Sequence, residues 1–177
     1  VLLQHDSDAF NRWEAGQRLA IHRLLAVVRG DAEAGALDAG FVAAMREVLR
    51  HPDLDAAFKE LVLTLPSEAY VAEQLDSVDP QRIHAAREAM KLALARALRT
   101  DWEWAFETHQ VKGGYSPDPV SSGRRALANM ALTMLCLDAV DRGDAVWPGR
   151  AYQRFKDATN MTVRQGALTA LLFSGAD

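Results

Sequence analysis

Apolar residues recur at intervals of three, four and seven along almost the whole sequence, a periodicity that leaves room for little except α-helix. Phe10, Trp13, Ala20, Leu24 and Val27 form a first stripe, with Asp8 placed to cap its helix and Gly30 to end it. Phe41, Met45, Val48 and Leu49 form a second. Leu54, Phe58, Leu61, Val62 and Leu65 form the cleanest stripe, and Pro66 stands where it would interrupt that helix. A short helix is expected over Glu68 to Leu75. Asp79 followed by Pro80 then supplies a side-chain acceptor and a proline at the first helical position. From there Ile83, Met90, Leu94, Ala97 or Leu98, Trp102 and Phe106 predict one continuous helix of about seven turns. The stretch THQVKGGYSPDPVSSG is the longest non-helical connection. A helix from about Val120 to Val140 is apolar on most sides and is expected to be central. The last two run from about Gly149 to Ala158 and from Thr162 to Phe173, with Thr162 and Gln165 at capping-box spacing.

About eight helices with short connections and no convincing strand make an all-α chain, built as a bundle or an α-solenoid. The helices of residues 9–75 read as antiparallel pairs in sequence, but no fixed repeat period runs through them. The expectation is an irregular α-superhelix of stacked antiparallel helix pairs, ARM/HEAT-like, with residues 1–177 as a single all-helical segment.

With 49% hydrophobic and 25% charged residues, the 177-residue chain can build a proper core. A net charge of −4 without clustered Lys and Arg excludes a nucleic-acid surface. Cys136 is the only cysteine and lies in the apolar run ALTMLCLDAV, so it reads as a small buried hydrophobe, and disulfides within the chain are excluded. No apolar run reaches the roughly 18 residues of a membrane span, and a reduced, cytoplasmic setting is expected. The chain begins VLLQHDSD without an initiator methionine and reads as a fragment. A truncated solenoid would expose apolar surface at its cut ends, which predicts a dimer through them.

Catalytic chemistry is hard to place. His5, His22, His51, His84 and His109 stand in no zinc-ligand spacing, and HExxH is absent. KGGY lacks the spacing and downstream residues of a phosphate loop, and there is no GxSxG elbow. DWEWAFE reads as a helix end with tryptophans inward and acids outward. Arg124 and Arg125 are more informative. Helix starts disfavour cations, so two arginines there are either solvated or paired with carboxylates of another domain or an anionic ligand. In LTLPSEAYVAEQLD, Glu68 sits in the first turn of a new helix, where negative charge is favourable, and Tyr70 reads as a packing residue with a polar tip.

Four strings, DSDAFNRWEAGQRLA, LTLPSEAYVAEQLDSVDPQRIHAARE, YSPDPVSSGRRALANMAL and ATNMTVRQGALTAL, together resemble the C-terminal helical domain of the bacterial aminopeptidase N family, alanyl aminopeptidases of the gluzincin class of zinc metallopeptidases. The resemblance runs from about Asp6 to Leu172 and covers the earlier part of that domain. It implies a multidomain parent in which a thermolysin-like domain carries HExxH with its zinc and GxMEN for the substrate amine. The helical domain would cover the active-site cavity and restrict entry to peptides. Neither motif occurs here, so the resemblance carries over no catalytic, metal or cofactor residue, and zinc is expected only in the parent's catalytic domain. The implied partners are the remaining domains of the parent and, indirectly, a peptide substrate, with no nucleic acid and no membrane. Glu68, Tyr70, Arg124 and Arg125 are the candidates for interdomain pairing or cavity lining. Two other readings are a free-standing HEAT-like interaction scaffold, and a helical bundle that binds a small molecule through the loop from His109 to Gly123.

Overall fold

The computed structural model describes residues 9–175, and all its regular structure is helical. In chain order the helices are α1 (Ala9–Arg29), α2 (Ala39–Arg50), α3 (Ala56–Leu63), α4 (Glu68–Ala72), α5 (Pro80–Ala97), α6 (Arg99–Thr108), α7 (Pro119–Asp141), α8 (Val146–Asp157) and α9 (Met161–Ser174). The all-α expectation holds among the described residues. They fall into two compact units: one takes the residues up to His51 with Leu61–Leu94, the other Pro52–Glu60 with the residues from Ala95 onward.

Local chemistry sets most helix boundaries. Asp38 accepts from the Phe41 amide, Ser67 from Tyr70, Asp118 from Ser121 and Asn160 from Val163, each satisfying an amide that the first turn leaves open. Asp79 accepts from both Gln81 and Arg82 ahead of α5. Gly30 follows α1 at φ 88°, a left-handed conformation that glycine adopts without a Cβ penalty. The expected cap at Asp8 and the side chain of Phe10 lie outside the described residues, as does His5. The start of α9 differs from the capping box read at Thr162 and Gln165. Asn160 is the cap, because its extended backbone (φ −140°, ψ 157°) turns the side-chain oxygen onto the Val163 amide.

The first unit is centred on α1, α2 and α5. Leu24, Val48, Leu49, Val71 and Ile83 are buried there, and Val28 is more deeply buried than the expected Val27. Arg23 donates to the Ala36 carbonyl, and Arg87 donates to that of Pro66 at 2.9 Å.

The second unit is organised around α7, which packs against α6, α8 and α9. Leu127, Ala128, Ala131, Leu132, Leu135, Cys136 and Ala139 are buried along it, each leucine contributing about 2 kcal/mol by removal from water. The central position expected of this helix is observed. Glycine lets the helices close on one another. A Cβ on Gly123 would lie 2.8 Å from the Ala57 amide nitrogen, so α7 can pass the start of α3 only with hydrogen at that position. Ion pairs flank the same helix. Asp138, only 1% exposed, accepts from Arg99 at 2.6 Å and from Arg142 at 3.1 Å, and Arg96 reaches Asp141 one turn along.

Two further expectations need correction. The helix predicted from Pro80 through Phe106 breaks at Leu98, whose φ of −114° and ψ of 22° leave the helical region, so nine helices are described rather than eight. No glycine or proline marks the break. Leu98 is fully buried, and Arg96 and Arg99 on either side of it are both held by acidic residues of α7. The third stripe is also divided. Leu61 is 50% exposed while Lys59 is only 4% exposed, the reverse of what the periodicity predicts. The cause is that α3 serves both units, its residues up to Glu60 packing in one and those from Leu61 in the other.

Candidate functional site

Glu68 and Tyr70 lie two positions apart on the five-residue helix α4, which turns their side chains in different directions. Glu68 pairs with Nδ1 of His84 on α5 at 2.8 Å, and both side chains are exposed. Tyr70 is 46% exposed and lines a cleft of about 550 Å³. Trp13 and Gln17 of α1, Leu61 of α3, and Leu65 and Pro66 line it too, with Glu14, Arg18, Thr64 and Ser67 as its polar part. Gln17 fixes one side by donating to the Thr64 carbonyl at 2.9 Å. The structure does not bring Glu68 and Tyr70 together. One makes a surface ion pair and the other borders an apolar cleft.

Arg124 and Arg125 are turned inward onto the loop that precedes their own helix. Arg124 donates from Nη2 to the carbonyls of Thr108 at 2.6 Å and Gln110 at 3.4 Å, placing its charge at the C-terminal end of α6. That end carries partial negative charge, which supplies the external reason for an arginine so early in α7. Arg125 is 3% exposed and donates from Nη2 to the Ser116 carbonyl at 2.6 Å and to Ser122 Oγ at 3.1 Å. Its guanidinium lies 4.8 Å from the centre of the Tyr115 ring, a cation–π contact. The pair therefore ties residues 108–116 to α7. Asp118 helps from the other side, accepting from the Ser121 amide and the Ser116 hydroxyl, and these bonds hold its carboxyl well below the usual carboxylate range.

A second buried polar group was not legible in the sequence. His109 donates from Nδ1 to the Ala105 carbonyl at 2.8 Å and meets Trp104 edge-on, with Lys59 over the Trp104 ring. Burial pushes the pKa of His109 down, and the nearby charges of Lys59 and Arg124 push it the same way. Burial likewise lowers that of Lys59 against the opposing charge of Asp55. The histidine of THQVKGG reads as a loop residue because the sequence shows neither its edge-on contact with Trp104 nor the nearby charge of Lys59, distant along the chain.

Among the described residues no group of three or more His, Cys, Asp or Glu side chains could hold a metal ion, so these residues do not fit a zinc site. Cys136 is fully buried, as its apolar run predicts, and its thiol is pushed up to about 12, far from a reactive thiolate. No helix of the described residues is long and apolar enough to cross a membrane.

Residues 1–177 match the family described as "Domain of unknown function (DUF3458_C) ARM repeats". The chain belongs to that family. The ARM-repeat domain is 34% identical over 176 residues to aminopeptidase N of Caulobacter vibrioides, covering 99% of this chain and 20% of that protein. It is 31% identical over 171 residues to aminopeptidase N of Escherichia coli, covering 96% of the chain and 19% of the relative. The domain thus spans about a fifth of the length of the curated relatives it matches. In fold it is similar to part of an aminopeptidase A from Legionella pneumophila, solved in complex with aspartic acid. The TM-score is 0.78 at 24% identity, covering 97% of this chain and 20% of that one.

Proposed function

We propose that this ARM-repeat domain is the non-catalytic helical part of a zinc-dependent aminopeptidase that removes N-terminal residues from peptides, and that it covers the active-site cavity and limits which substrates enter. Similarity along almost the whole chain to a fifth of aminopeptidase N supports this reading. In such an enzyme a zinc ion would supply Lewis-acid chemistry, and residues in the remainder of the parent polypeptide would hold it. This chain's residues contribute walls instead. The cleft beside Tyr70, with its apolar face of Trp13, Leu61 and Leu65, is the surface best suited to lining a space that peptides traverse. A cytoplasmic setting and association with the rest of the parent are part of the same reading. Self-association of the isolated chain is part of it too, supported by exposed Met161, Leu168 and Leu172 at helical spacing on α9.

The test has two arms. The isolated chain with added zinc should not hydrolyse alanyl-p-nitroanilide, and turnover that survives metal-site controls overturns the claim of inactivity. Replacing the matching fifth of the Caulobacter aminopeptidase N with this chain should keep hydrolysis of that small substrate while changing selectivity among longer peptides. A folded, active chimera with the parent's size selectivity unchanged would remove the gatekeeping role.

A further inference from the structure

A cavity of about 300 Å³ opens beneath the loop that joins α6 to α7. Its walls come from that loop (Gln110, Gly113, Tyr115), from Arg125 at the start of α7, from Arg154 and Asp157 near the end of α8, and from Asn160 before α9. Two guanidinium groups thus converge on one space from different helices. Neither makes a salt bridge within the described residues, a feature they share with Arg124 and Arg164, whereas Arg96, Arg99, Arg142 and Arg150 of the same unit all do. Nε of Arg125 and Nε of Arg154 are both buried without a hydrogen-bond partner. The bonds these arginines do make go to neutral acceptors. Arg125 reaches Ser116 and Ser122, and Arg154 Nη1 donates to Gln110 Oε1 at 2.6 Å.

Arg125 is buried and Arg154 half-buried, neither in an ion pair, and a bound anion would relieve the cost of holding two such cations at one cavity. Burial also lowers the pKa of Arg154, and the charge of Glu107 opposes that shift. The N-terminus of α9 adds partial positive charge at the cavity's edge. Asp157 sets a limit on the ligand. This exposed residue lines the same cavity, and its carboxylate accepts from Gln153 at 2.8 Å. Two guanidiniums against one carboxylate leave a single positive charge, which a monoanion neutralises, whereas a phosphate dianion would leave one negative charge uncompensated in the cavity. The flat fork of a guanidinium also matches the two oxygens of a carboxylate.

We propose that this cavity is a carboxylate-binding site in which Arg125 and Arg154 are the donors and Asp157 selects for a single negative charge. The ligand is the carboxylate of a peptide C-terminus or that of an acidic side chain. The inference stands apart from the aminopeptidase reading, because the chain itself carries every group it uses.

The test is a titration of the 177-residue chain with sodium acetate, ionic strength held with sodium chloride, following the arginine Nε–H signals by NMR. Saturable shifts of the Arg125 and Arg154 signals are expected, with a Kd on the order of millimolar for so small a probe. R154Q should weaken binding about tenfold, and D157N should tighten it several-fold. Arg125 also anchors the loop, so if R125Q fails to fold, R154Q and D157N decide. Two capped peptides then separate the sources. N-acetyl-dialanine carries only a terminal carboxylate, and the N-acetyl-alanyl-aspartyl-alanine amide carries only a side-chain one. The source is whichever binds more tightly than acetate. The proposal is overturned by shifts that chloride reproduces, by tighter binding of inorganic phosphate than of acetate, or by an R154Q variant that binds acetate unchanged.

Discussion

Glu68 and Tyr70 stand on a helix of five residues, whereas Arg124 and Arg125 lie in the second turn of one of 23. What each pair touches follows from that difference. A single turn cannot bury two faces, so Glu68 and Tyr70 stay exposed, one in an ion pair with His84 and the other at the lip of a cleft. The long helix is fixed over six turns by its neighbours and can hold its first arginines against a loop that they in turn hold in place. Charge near the end of a well-packed element becomes structural. The same charge on a short surface element remains cheap to change.

The contrast is sharpest at Asp138, also on α7. D138N should destabilise the chain by about 3 kcal/mol in urea unfolding, since it withdraws the buried carboxylate from Arg99 and Arg142. A cost below that of any surface variant would break the comparison at its strongest point. R125M comes next, at about 2 kcal/mol, because the Ser116 carbonyl and Ser122 lose their donor in a buried setting. R124M should cost about 1 kcal/mol, its partners being the partly solvated carbonyls at the end of α6.

The sign of the pH dependence follows from His109. Its folded pKa lies below the ordinary 6.5, so the unfolded chain binds the proton more readily. The neutral histidine's contribution is complete above that value and is lost as pH falls below it, at no more than about 1.4 kcal/mol per pH unit. Thermal unfolding between pH 7.5 and 5 should show a falling Tm that flattens in H109Q. An unchanged slope in that variant would assign the effect elsewhere. The smallest effects belong to the short helix. E68Q and Y70F should each stay within about 0.5 kcal/mol of the parent, and a loss from E68Q matching that from R125M would remove the distinction between the two regions.

Much of the fold was legible because the code for a helix is local. Asp79–Pro80, Ser67 and Gly30 mark boundaries through bonds that span a few residues. The misreadings share a different cause. Nothing near Leu98 breaks a helix, and the interruption coincides with arginines on both sides meeting acids some 40 residues away. Lys59 and Leu61 exchange their expected exposures because one short helix belongs to two units, which a hydrophobic stripe cannot express. Of the candidate residues, the oddity of Arg124 and Arg125 was visible as cations at a helix start. Arg154 was not, since nothing in AYQRFKD separates it from a solvated surface arginine.

The sequence by itself determined the all-α class, most helix boundaries and the burial of Cys136, because these depend on periodicity and on side chains within a turn of one another. Its four strings also carried the likeness to aminopeptidase N. The tertiary structure alone decided where the long helix breaks, which histidine is buried, and that Arg125 and Arg154 share a cavity. Those outcomes depend on which distant groups supply cover and counter-charge, and no local pattern encodes that.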